Sequence, residues 1–161
     1  MSIIKYLLCF SLLLTISQHV LSQNSKQEQM VKLKFMVGNW VGVSKGFEDG
    51  KLVREEPAFE KIAYKVDRHI ITIDLYSESL QLHTVLYYDK TEEVFYYNPF
   101  YKNGAGKYKA YLEDGILVVK PSSTKRFIFR PTESGGFQEY GEELKDGKWV
   151  KYFEDTFTRV D

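Results

Sequence analysis

From Asn39 to Arg159 apolar and polar side chains alternate with a period of two, in short runs separated by turn-forming pairs. The runs predict strands at 39–47, 57–67, 69–78, 81–89, 93–101, 106–113, 115–120, 125–131, 136–144 and 148–159. Between them stand Glu48-Asp49-Gly50, Asp89-Lys90-Thr91, Asn103-Gly104, Glu113-Asp114-Gly115, Ser134-Gly135-Gly136 and Asp146-Gly147. Asp-Gly and Asn-Gly are strong hairpin signals because both turn residues must tolerate positive φ. Connections this short cannot hold the crossover helices that parallel strands require. The expected fold is therefore all-β, an antiparallel up-and-down meander of about 8–10 strands. So many hairpin-linked strands must protect their edges, and closing into a barrel removes them. A two-sheet sandwich is the rival arrangement.

The period is helical only before Gly38. Asn24 to Met36 predicts one short N-terminal helix, with Ser25 and Glu28 at capping-box spacing and Met30, Leu33 and Met36 on one face. Upstream, Lys5 precedes an apolar stretch from Tyr6 to Ile16, and Val20-Leu21-Ser22 suits a cleavage site. Residues 1–22 are expected to be a signal peptide and residues 23–161 a single domain, exported to the periplasm or the cell exterior. The apolar run is shorter than the roughly 20 residues that span a bilayer, so no membrane span is expected.

Composition narrows the chemistry. Cys9 is the only cysteine and falls inside the signal stretch, so the exported domain would have neither disulfide nor thiol chemistry. Lys5 is the only charged residue of that stretch, so its removal shifts the balanced 22 basic and 22 acidic residues by one unit. A near-neutral domain has no electrostatic footprint for nucleic acid. Aromatics make up 16% of the chain, with 12 Tyr. They favour strands and can line an amphipathic cavity, because tyrosine joins an apolar body to a polar tip.

Two segments carry a family resemblance. Val37-Gly38-Asn39-Trp40-Val41-Gly42, entered from a short helix, resembles the Gly-x-Trp opening of lipocalins and related calycin barrels. Phe157-Thr158-Arg159 resembles their terminal strand. The full exported length, with its Asp146-to-Trp149 hairpin, is also similar to bacterial secreted lipocalin-like domains of unassigned function. The Thr-Asp-Tyr turn of lipocalins is absent, so the resemblance is to calycins in the broad sense. It implies that Arg159 packs across the Trp40 ring, a cation–π contact worth about 0.5–2 kcal/mol. The pair would then be a structural closure at one barrel end rather than a ligand contact.

Several residue groups invite a chemical reading. His69 and His83 are the only histidines beyond the signal stretch, and neither has metal-ligand spacing, so no metal is expected. Haem-binding barrels of the superfamily place their histidine near the C-terminus, where 156–161 has none, so no cofactor is expected. His83, on a mid-sheet strand with Val85 and Tyr87, could be a polar group in a cavity or a surface histidine. Arg126 and Arg130 flank Phe127-Ile128-Phe129; either the arginines face water, or Arg126 meets a ligand carboxylate. Glu139, Glu142 and Glu143, with Glu154 and Asp155 on the next strand, are expected to form a solvated face beside a hairpin. Tyr87-Tyr88 and Phe95-Tyr96-Tyr97 put rings on both faces of their hairpin, so strand parity decides which set lines an interior.

The functional expectation is a non-enzymatic binding protein for a small apolar or amphipathic molecule. Aromatic and aliphatic walls would supply affinity, with polar groups among the ligand-binding candidates His83, Tyr87, Tyr97 and Arg126. No catalytic residues are assigned. An isomerase or lyase in the same barrel would require a buried acid of displaced pKa, and a filled barrel would act through its surface.

Overall fold

The computed structural model describes residues 26–160; the expected signal peptide, with Cys9, and the expected cap at Ser25 lie outside the described residues. The first strands are β1 (Gly38–Glu48), β2 (Lys51–Lys65), β3 (Ile70–Ser77), β4 (Gln81–Asp89) and β5 (Val94–Tyr101). After the two-residue β6 (Gly104–Ala105) follow β7 (Tyr108–Glu113), β8 (Ile116–Ser122), β9 (Lys125–Pro131), β10 (Phe137–Lys145) and β11 (Lys148–Arg159). Each main strand pairs antiparallel with the next along the chain, and β1 pairs with β11. The result is a closed meander barrel of ten strands, with β6 a short addition to the end of β5. Closure excludes the sandwich.

The Asp-Gly turns work as their chemistry requires. Asp49-Gly50, Asp114-Gly115 and Asp146-Gly147 all have positive φ at both positions, the primed-turn geometry that matches strand twist. The β2–β3 turn has three consecutive positive-φ residues and no glycine: Val66, Asp67 and Arg68, at 49°, 51° and 60°. Such a backbone is costly for a β-branched residue. The Gln27 side-chain amide donates to the Asp67 carbonyl and carboxylate, tying this turn to the N-terminal helix.

Strand β2 starts at Lys51, six residues before the position expected from Pro57. Residues before Ala58 have only β1 as a partner, so Pro57 sits on a local edge where its missing N–H breaks no second ladder.

The expected single helix is divided into an α-helix over 26–31 and a 3₁₀ turn at Lys34–Met36. Lys32, Leu33, Met36 and Val37 each donate their backbone N–H to the carbonyl three residues earlier. Three-residue periodicity stacks Met30, Leu33 and Met36 on one line. All three are fully buried and close the barrel end together with Trp40, Ile62, Ile71, Phe137 and Phe157.

Trp40 and Arg159 complete that closure. They are register partners on β1 and β11, with the guanidinium 4.4 Å from the ring centroid. The indole Nε1 donates to the Met36 carbonyl at 2.8 Å, and Arg159 Nη2 donates to the Val37 carbonyl at 2.8 Å. Gly38 makes room for this arrangement, since a Cβ there would lie 2.3 Å from Arg159 Nη1.

Candidate functional site

Inside the barrel the apolar layer gives way to a polar one. Alternation along each strand turns Ser44, Glu56, Glu60, Thr84, Glu139 and Asp155 inward, and all six are buried. Register aligns four of them across neighbouring strands: Glu56 opposite Ser44, Ser44 opposite Asp155, and Asp155 opposite Glu139. Phe129 on β9 continues the row. A band of carboxyls and hydroxyls therefore runs partway round the inner wall.

Above this band opens a cavity of about 420 Å³. Glu139, Asp155, Ser44 and Tyr97 border it below, and Tyr101, Phe127, Phe129, Tyr152 and Phe153 form much of its wall. Its mouth is framed by Phe47 and Glu48 at the end of β1, by Arg54, and by Ser79 and Leu80 in the β3–β4 turn. Two bulges shape the mouth. Gly46 pairs with Arg54 but Phe47 with Leu52, which leaves Val53 as an extra residue. Gly141 pairs with Phe153 but Glu142 with Lys151, which leaves Tyr152 as another. A bulge breaks the in–out alternation, so consecutive residues can border one space. Val53 with Arg54, and Tyr152 with Phe153, do so here.

Burial governs the electrostatics. Desolvation pushes the Glu139 carboxyl well above the ordinary 4.5, and the neighbouring Glu60 and Asp155 charges add to it. Glu60, just outside the cavity lining, is raised by desolvation first and by Asp155 second. Burial also raises Asp155, although side-chain hydrogen bonds with Ser44 and Glu139 act in the opposite direction. Glu60 Oε2, Thr84 Oγ1 and Asp155 Oδ1 are buried without a hydrogen-bond partner. Glu56 behaves differently. The Ser79 hydroxyl and backbone N–H both donate to its Oε1, and Arg54 Nε is 3.7 Å away. The Ser79 hydroxyl chiefly holds its pKa below the ordinary value. Tyr97 is pushed well above 10 by burial and by the Glu139 charge, and Tyr152 to about 12 chiefly by burial.

Of the four ligand-binding candidates from the sequence, Tyr97 borders the cavity. The other three lie outside it, because their strand neighbours take the inward positions. His83 stands between inward Leu82 and Thr84, half exposed, with Nδ1 2.6 Å from Asp74 Oδ1. Tyr87 pairs with Tyr96 on the outer face, ring centroids 5.5 Å apart. Arg126 Nε donates to Glu142 Oε2 at 2.7 Å and its guanidinium covers the Trp149 ring at 4.2 Å.

The expectation of a solvated acidic face requires correction. Glu142, Glu143 and Glu154 are only partly buried, and each has a basic partner, Arg126, Lys145 and Lys151 respectively. Glu139 and Asp155 point inward. Their sequence surroundings carried a signal: Phe137-x-Glu139-x-Gly141 and Phe153-x-Asp155-x-Phe157 each place an acid on an apolar parity. Ala58-x-Glu60-x-Ile62 has the same form.

The described residues contain no grouping of His, Cys, Asp and Glu able to hold a metal ion, and no helix among them is long and apolar enough to cross a membrane. Neither a protein-family model nor a curated protein matches the chain.

Proposed function

We propose that this chain is an exported binding protein of the calycin kind that holds one small amphipathic molecule in its barrel. The observation that carries the reading is the cavity of about 420 Å³, walled by aromatic rings and floored by the Glu139–Asp155 pair. Ligand sites are commonly concave, of roughly 300–1,000 Å³, mostly apolar, with a few polar groups that fix orientation. The opening Gly38-Asn39-Trp40 and the closing Arg159 support the calycin relationship, and the Lys5-to-Ser22 segment supports export.

Titration with N-phenyl-1-naphthylamine, an uncharged amphipathic fluorophore, tests the reading. Saturable one-to-one enhancement is expected, and Gly46→Leu should abolish it. A Cβ at Gly46 meets nothing closer than 3.5 Å, so the added side chain can enter the cavity without breaking the wall. Unsaturable enhancement, or enhancement unchanged by Gly46→Leu, would contradict a cavity site.

The buried carboxyl pair favours a second reading, proton transfer on a bound carbon acid with Glu139 and Asp155 as acid and base. Incubation in deuterium oxide separates the two. Binding alone returns a captured ligand without carbon-bound deuterium, whereas catalysis labels it.

A further inference from the structure

Resting on the binding reading, we infer that the barrel's ligand is a small organic ammonium ion, its charged end held by Glu139 and Asp155 and its apolar body against Tyr97, Phe129 and Phe153. Three observations converge on it. The first is charge. Groups facing the pair are Arg54, Glu56 and Glu60 from β2, Tyr97 and Tyr101 from β5, and Tyr152 from β11. Among the described residues, Arg54 is the one basic side chain bordering the cavity, and it faces Glu56. No cation acts on Glu60 or Glu139, Asp155 feels the Arg54 charge only as a minor effect behind burial and its hydrogen bonds, and Glu48 adds a further acid at the rim.

The second observation is an unmet acceptor. Asp155 is only 3% exposed, borders the cavity, and its Oδ1 accepts no hydrogen bond. A buried acceptor without a donor is costly, and a ligand N–H that reached it would relieve that cost. The third is the wall. Aromatic faces carry negative potential and attract cations, and rings beside carboxylates form a setting suited to an organic ammonium. A ligand carboxylate would meet three acids instead. The apolar wall and the lack of a metal-holding group among the described residues argue against a bare metal ion.

Burial raises the pKa of both carboxyls, so a cation that binds their ionised forms competes with protons. Affinity should therefore rise with pH until the carboxyls are ionised, as long as the amine stays charged.

Displacement of N-phenyl-1-naphthylamine by 2-phenylethylamine, 2-phenylethanol and phenylacetate tests the inference on the unmodified chain. The amine is expected to displace the dye at a concentration at least about tenfold below the alcohol. Phenylacetate should be weakest, and the amine's advantage should grow as pH rises above the ordinary carboxylate range while the amine stays charged. Glu139→Gln and Asp155→Asn should each cut the amine's advantage over the alcohol at least about threefold, with displacement scored against each variant's own dye affinity. Equal potency of amine and alcohol, stronger displacement by phenylacetate, or dye binding that none of the three displaces would overturn the ammonium assignment and leave the cavity intact. Failure of the dye to bind at all would instead overturn the binding reading on which it rests.

Discussion

Glu139 and Asp155 face each other across β10 and β11 with both carboxyls turned into the barrel, one layer above the apolar plug. Folding places two acids side by side with Glu60 near them, although water would solvate each separately. Such an arrangement costs stability, and the cost depends on pH.

The raised pKa of Glu60 and Glu139 sets the sign of that dependence. Their folded forms hold protons that the unfolded chain releases near 4.5, so folding binds protons above that pH. The stabilising contribution is fully present below 4.5 and is lost as pH rises towards the folded values. Urea denaturation at a series of pH values should show stability falling from mildly acidic to alkaline conditions. Glu60→Gln should flatten the fall and stabilise the protein at the alkaline end. A Glu60→Gln curve parallel to the unmodified one would show that this carboxyl ionises as freely in the fold as in water.

Gly42 and Gly46 lie on the same face of β1 and should respond oppositely to alanine. A Cβ at Gly42 would stand 2.1 Å from the Thr156 backbone oxygen, so β1 and β11 must separate to admit it. Gly42→Ala is expected to destabilise by about 2–3 kcal/mol, the upper range for overpacking. At Gly46 the nearest atom is 3.5 Å away, and Gly46→Ala should change stability by less than about 1 kcal/mol. Chemical denaturation of the two variants checks the contrast.

Replacing Arg159 by methionine keeps much of its length but removes the cation over Trp40 and the donor to the Val37 carbonyl. The expected loss is about 1–3 kcal/mol, the sum of a cation–π contact and one hydrogen bond. Arg159→Lys should recover only part of it, because an ammonium cannot stack flat while reaching that carbonyl. Equilibrium unfolding of the two variants measures the difference.

The outer-face residues should be silent in binding. His83→Ala and Arg126→Ala are expected to leave N-phenyl-1-naphthylamine affinity within about twofold. Tyr97→Ala should weaken it, since that ring borders the cavity. Fluorescence titration of the three variants decides the point.

What was legible in the chain follows from what is local. Positive φ at Asp49-Gly50, Asp114-Gly115 and Asp146-Gly147 is written in residue type, so hairpins and strand order could be read directly. The Trp40–Arg159 closure was legible through a motif at each end of the domain. The parity of β4 was not, because Leu82, Thr84 and Leu86 alternate with His83, Val85 and Tyr87, leaving mixed residues on both faces. The bulges at Val53 and Tyr152 arise from register between strands, which no single strand records. Acids beside a hairpin usually face solvent, and that pattern hides the inward placement of Glu139 and Asp155. Their phenylalanine neighbours two residues away were the better guide.

The most direct measurement is a crystal structure of the chain soaked with 2-phenylethylamine. The account predicts a single molecule inside the barrel, its nitrogen about 3 Å from a Glu139 or Asp155 oxygen and its ring among Tyr97, Phe129 and Phe153. A barrel whose interior is filled by side chains, or an amine bound only on the outer wall, would contradict it.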